Sequence, residues 1–132
     1  MGNKQFSEWM QGRNFAYWST GQHKVMPNVL MEKWAAGEAV LLDVRAAEET
    51  EFLALPFALH IPLDELPDRL DEVPRDKLVV TFCSGGDRAN VAFAYLQNQG
   101  FDNVRVMPGG YANLIPELMP GKVRLLLKKR AS

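Results

Sequence analysis

Residues 83–88 read Cys83-Ser84-Gly85-Gly86-Asp87-Arg88 and contain the single cysteine of the chain. The preceding run, Leu78-Val79-Val80-Thr81-Phe82, is a continuous stretch of apolar and β-branched residues, as in a strand buried on both faces. After it, Ala89, Ala92, Phe93 and Leu96 fall at the i, i+3, i+4, i+7 spacing of one helical face. A strand, a glycine-containing turn and a helix N-terminus thus meet at a thiol. Such a junction aims backbone N–H groups and the positive end of a helix dipole at the sulfur. Free thiols titrate near pH 8.5, and the reactive species is the thiolate, which a helix N-terminus and a nearby arginine favour. Gly85 and Gly86 allow positive φ and close approach to a bound anion, and Arg88 adds a full charge. The stretch reads as an activated cysteine that also holds an anion. A small buried hydrophobe at a strand end is the alternative for Cys83, and an N-cap is the simpler role for Asp87.

The alternation of elements around this junction sets the fold class. Strands are expected at residues 24–26, 39–44, 58–61, 78–82 and 104–106. Helices are expected at residues 27–36, 46–52, 63–70, 89–99 and 111–118, with Pro67 and Pro116 interrupting two of them. Strands alternating with helices imply βαβ units. The fold class is therefore α/β, with a central parallel sheet of about five strands and helices on both faces. Ligands bind beyond the carboxyl ends of strands in such sheets. Asp43 and Arg45 stand at one such end, and the residues from Cys83 to Arg88 stand at another. Three segments follow: an aromatic-rich N-terminal extension over 1–22, a domain over 23–118, and a basic C-terminal tail over 119–132. The extension carries Phe6, Trp9, Phe15, Tyr17 and Trp18, which suit an arm packed on the domain or a docking surface.

Composition narrows the possible partners. A chain of 132 residues with formal net charge −1 is one domain with no global electrostatic case for nucleic acid. One cysteine excludes an intrachain disulfide and a multi-cysteine metal site, and the pattern calls for neither metal nor cofactor. No apolar run is long enough to span a bilayer, and no charged start precedes an apolar core. Met1-Gly2 resembles a myristoylation start, but Phe6 stands where Ser or Thr is required. A cytoplasmic protein is expected.

Asp43-Val44-Arg45, the Cys83-to-Arg88 loop and Gly109-Gly110 together resemble a single-domain rhodanese, a sulfurtransferase. The resemblance covers roughly residues 25–118, and the loop is similar to the family pattern Cys-x-x-Gly-x-Arg through Gly86 and Arg88. It implies a rhodanese-like fold in which Cys83 takes sulfane sulfur from a small anion such as thiosulfate. The sulfur is carried as a persulfide and passed to a thiophilic acceptor, an external thiol or a protein. It further implies catalytic roles for Cys83 and Arg88, a binding loop of Ser84, Gly85, Gly86 and Asp87, and support from Asp43 and Arg45.

Departures from the family pattern bear on the substrate. Leu53-Ala54-Leu55-Pro56-Phe57-Ala58 replaces Gly-His-Ile-Pro-Gly-Ala, so a different loop conformation is expected there, and His60 reads as structural. Ala89 and Leu114 stand where the family often has Ser and Trp, and the charge of Asp87 opposes an anionic donor. Two other readings stay open. One is a non-catalytic or sulfur-carrier module that docks a protein partner. The other is a dual-specificity phosphatase or arsenate reductase of similar fold. Those enzymes separate cysteine and arginine by five residues, whereas four separate Cys83 from Arg88.

Overall fold

The computed structural model describes residues 4–132; the Met1-Gly2 start and the first residues of the expected extension lie outside them. Four strands, β1 (Ala39–Asp43), β2 (Leu59–His60), β3 (Leu78–Phe82) and β4 (Val104–Val106), form one sheet in the order β2-β1-β3-β4. Every pairing is parallel. The expected strand at residues 24–26 is reduced to one parallel bridge, Lys24 to Val106. Pro27 causes this, because it occupies the first turn of helix α3 (Pro27–Ala35) with Met26 extended before it, and the fixed φ of proline suits helix initiation.

The remaining helices are α1 (Lys4–Gln11), α2 (Phe15–Ser19), α4 (Ala47–Phe52), α5 (Asp87–Asn98), α6 (Gly110–Leu114) and α7 (Pro120–Arg130). Tighter 3-10 turns run over Leu63–Glu72 and Ile115–Leu118. They carry Pro67 and Pro116, each of which removes a backbone donor and discourages a longer α-helix.

Side chains alternate across the two central strands, β1 and β3, and fill two cores. Leu42, Val79 and Cys83 face one side, where they join Ala89, Ala92, Phe93 and Leu96 of α5. Leu41, Val80 and Phe82 face the other, with Leu30 and Met31 of α3 and Leu114 of α6. The sheet is therefore covered on both faces, and this is why both central strands read as predominantly apolar runs. Thr81 is the polar exception inside β3. Its buried hydroxyl donates to the carbonyl of Ala89 at 2.8 Å and ties the strand to α5.

The two terminal segments pack on this frame. Trp9 of α1 lies edge-on to Phe93 at 6.3 Å and donates through its indole nitrogen to Gln97 of α5 at 2.9 Å. At the other end most of the basic tail forms helix α7. It lies against α3, with Leu126 on the core, Lys129 3.1 Å from Glu32 and Arg130 over the Trp34 ring at 4.5 Å.

Candidate active site

The register of the sheet brings the two sequence landmarks together. Asp43 pairs with Phe82 at the carboxyl ends of β1 and β3, and the N–H of Val44 donates to the Phe82 carbonyl at 2.9 Å. The segment containing Arg45 and the loop containing Cys83 therefore leave the sheet side by side.

Arg45 is fully buried, so its charge must be matched where it lies. Asp43 does so with both oxygens, accepting from Nε at 2.9 Å and from Nη2 at 2.7 Å. Nη1 donates to the Leu53 carbonyl at 2.8 Å and to the Tyr111 hydroxyl at 3.0 Å. Burial pushes the guanidinium pKa down, but the bonds to Asp43 and Tyr111 outweigh this and raise it. His60 approaches the Arg45 carbonyl through Nε2 at 2.8 Å, the structural role expected of it. Asp43 and Arg45 thus brace three segments: the end of β1, the altered Leu53 loop and α6. Within that loop Leu55 is buried, and Phe57 lies edge-on to Trp34 at 5.4 Å.

The brace reaches the cysteine loop through Tyr111. The backbone N–H of Tyr111 donates to the Ser84 carbonyl at 2.9 Å. The approach requires Gly110, where a Cβ would stand 1.9 Å from that carbonyl oxygen and 2.3 Å from its carbon. The Gly109-Gly110 pair is therefore a site of backbone contact as well as a turn.

Above β3, the loop wraps the thiol. The N–H of Gly86 approaches Cys83 Sγ at 3.0 Å and that of Ala89 at 3.3 Å. Both donors belong to the start of α5, so the sulfur sits on a helix N-terminus with aligned N–H groups. Gly86, at φ +130°, takes the conformation that glycine allows; Gly85 does not need it. Gly86 is also the N-cap residue of α5, and Asp87 falls inside the first turn without a side-chain capping bond. The capping role expected for Asp87 is therefore corrected. Its carboxylate is exposed and makes no ion pair among the described residues. Cys83 is 2% exposed, so the sulfur is nearly buried.

Arg88 does not stand free beside the thiol. It forms a two-pronged ion pair with Glu49 of α4, Nη1 to Oε2 at 2.5 Å and Nη2 to Oε1 at 2.9 Å, and Nη2 also reaches Ser84 Oγ at 3.0 Å. Glu49 is fixed independently, because Oε2 accepts from the backbone N–H of Ala46 at 2.9 Å at the start of α4. The Arg88 guanidinium holds the Glu49 carboxyl down to about 2, with the Ala46 N–H contributing and burial opposing. The pair in turn raises the pKa of Arg88. Sequence reading missed both Glu49 and Tyr111. Glu49 lies among Glu48, Glu51 and the other carboxylates of an acidic stretch, where a solvated face is the ordinary expectation. Glu49 makes only half of a capping box, accepting from the Ala46 N–H, and because alanine stands where that motif has Ser or Thr the sequence signature is absent.

A parallel α/β sheet that presents a thiol at a helix N-terminus, with an arginine in the first turn of that helix, defines a class of domain built around cysteine chemistry. The rhodanese-like domain family matches residues 26–115, and the chain belongs to that family. A sulfurtransferase of Allochromatium vinosum is 39% identical over 82 residues, which cover 61% of this chain and 77% of the relative. Among solved structures, a rhodanese-related protein of Thermoplasma volcanium has a TM-score of 0.64 at 28% identity, covering 74% of this chain and 95% of that one. An NAD-dependent persulfide reductase from A. fulgidus is 43% identical with a TM-score of 0.50, over 57% of this chain and 14% of that one.

Two outcomes follow from this geometry. Gly110→Ala forces a Cβ into the Ser84 carbonyl and is expected to cost about 1–3 kcal/mol in denaturant unfolding. Gly121→Ala has no heavy atom within 4 Å of the new Cβ and should stay within about 0.5 kcal/mol of wild type. The depressed Glu49 pKa implies that its pairing contributes fully above the usual 4.5 and is lost as pH falls toward about 2. The stability difference between wild type and Glu49→Gln should therefore be flat from pH 5 to 8 and shrink below pH 4.5. A difference that grows with acidification would contradict the assignment.

Proposed function

We propose that the protein is a sulfurtransferase that carries sulfane sulfur as a persulfide on Cys83, between a donor such as thiosulfate and a thiophilic acceptor. The observation that carries this reading is the pair of N–H groups, from Gly86 and Ala89, directed at Cys83 Sγ. Preorganised donors of this kind favour negative charge on sulfur, both on the attacking thiolate and on the terminal sulfur of a persulfide. With thiosulfate, the Cys83 thiolate attacks the outer sulfur, the S–S bond breaks, and sulfite leaves with its electron pair. An acceptor such as cyanide then removes the terminal sulfur as thiocyanate and regenerates the thiolate, so no oxidant or reductant is consumed.

Within this scheme, Ser84, Gly85, Gly86 and Asp87 form the loop that surrounds the transferred sulfur. Arg88 is the cation that meets an anionic donor, and Asp43 and Arg45 hold the loop in place through Tyr111. Because these 132 residues hold one cysteine, any thiol that accepts the sulfur or resolves the persulfide comes from outside them. A cytoplasmic location, where small thiols are abundant, suits such a carrier, and among the described residues no helix is long and apolar enough to cross a membrane. The named sulfurtransferase and persulfide reductase among the similar proteins support sulfane-sulfur chemistry. The loop is less suited to phosphate hydrolysis, because only four residues separate Cys83 from Arg88, a shorter cradle that fits a single sulfur better than a tetrahedral phosphate.

The test is thiocyanate formation from cyanide and a sulfane-sulfur donor. Cys83→Ser should lower turnover at least about a thousandfold. Arg88→Ala leaves Glu49 uncompensated beside the loop and should lower thiosulfate turnover about 10- to 100-fold while the unfolding transition stays cooperative. Retention of full activity by Cys83→Ser would overturn the proposal.

A further inference from the structure

The ion pair at the loop has a consequence for which donor can load Cys83. Thiosulfate is a dianion and must bring its charge beside a thiolate, so it needs an uncommitted cation. Arg88 is the cation in position, and both of its terminal nitrogens are bonded to Glu49. Nη2 is further shared with Ser84 Oγ. Glu49 does not depend on Arg88 for its place, since the Ala46 N–H holds Oε2 and the carboxylate is built into the first turn of α4. The next charge along the loop is Asp87, exposed and without an ion pair among the described residues. The charge of Arg88 is thus matched, while Asp87 and the thiolate remain to repel an incoming dianion. The pair is about one-third exposed on each side, 36% for Arg88 and 29% for Glu49, so its bonds can be exchanged but not without competition from a fixed carboxylate.

We propose that Glu49 is a specificity-determining residue that, by holding Arg88 in this two-pronged pair, disfavours thiosulfate and selects sulfane sulfur borne on a thiol as a hydropersulfide, RS–SH. This inference rests on the sulfurtransferase reading above. A hydropersulfide carries at most one negative charge on its sulfur pair and does not need a free guanidinium. Cys83 Sγ, as the thiolate, attacks the outer sulfur of RS–SH. The S–S bond of the donor breaks, its electron pair leaves with RS⁻, and Cys83–S–SH forms. One sulfur atom moves, the net charge is the same before and after, and nothing is oxidised or reduced overall. Glu49 acts through Arg88 and is a positioning residue.

The test compares kcat/KM for thiosulfate and for cysteine hydropersulfide in wild type, Glu49→Gln and Glu49→Asp, with cyanide as acceptor. Glutamine keeps an oxygen for the Ala46 N–H but removes the charge. Glu49→Gln should raise kcat/KM for thiosulfate about tenfold, mainly through a lower KM, and leave cysteine hydropersulfide within about twofold. Glu49→Asp retains the carboxylate and should stay closer to wild type in its donor ratio than Glu49→Gln. Equal changes with both donors, or no change with either, would overturn the inference while leaving the sulfurtransferase reading intact. Absence of transfer from both donors in all three proteins, each shown folded by its unfolding transition, would overturn that underlying reading as well.

Discussion

A guanidinium with no solvent exposure is the constraint on which this site depends. Arg45 cannot be buried unmatched, and Asp43, two residues earlier, supplies both carboxylate oxygens. The remaining donor, Nη1, then recruits the Leu53 carbonyl and the Tyr111 hydroxyl. One charged group therefore fixes a strand end, a loop and a helix relative to one another. Tyr111 passes that placement on, since its backbone N–H holds the Ser84 carbonyl within the cysteine loop. Asp43 and Arg45 can thus be essential to the site without touching the sulfur.

Local backbone geometry then does what the brace cannot. The loop closes over Cys83 because Gly86 adopts a positive φ and Gly110 has no Cβ to strike Ser84. The result is a nearly buried sulfur that meets two N–H donors. Such a cradle favours negative sulfur whichever donor supplies it. In the proposed scheme the charges at the rim, Glu49 and Asp87 against Arg88, govern which donor approaches. Under that proposal, stabilising the carried sulfur and choosing its source fall to different groups.

Much of this was legible in the sequence because it is written in local patterns. The apolar runs at 39–44 and 78–82 announce buried central strands, and Cys83, Gly86 and Arg88 announce a helix N-terminus built around a thiol. The rhodanese-like resemblance rested on those residues with Asp43, Arg45 and Gly109-Gly110, and family membership bears it out. What sequence could not show is long-range pairing. Glu49 meets Arg88 across 39 positions, and Tyr111 meets Arg45 across 66, with no periodicity to mark either. The fifth strand failed because Pro27 begins a helix within three residues of Lys24. Asp87 failed as a cap because Gly86, one residue earlier, ends the turn. The basic C-terminus became helix α7 through Leu126 and Arg130, whose partners lie on α3 and the core.

The most direct measurement is the intact mass of the protein after incubation with a sulfane-sulfur donor, thiosulfate in one sample and cysteine hydropersulfide in another. The expected result is one added sulfur atom on the wild-type chain, removed by cyanide, and none on Cys83→Ser. An unmodified wild-type mass with both donors, or the same added sulfur on Cys83→Ser, would contradict a persulfide carried at this loop.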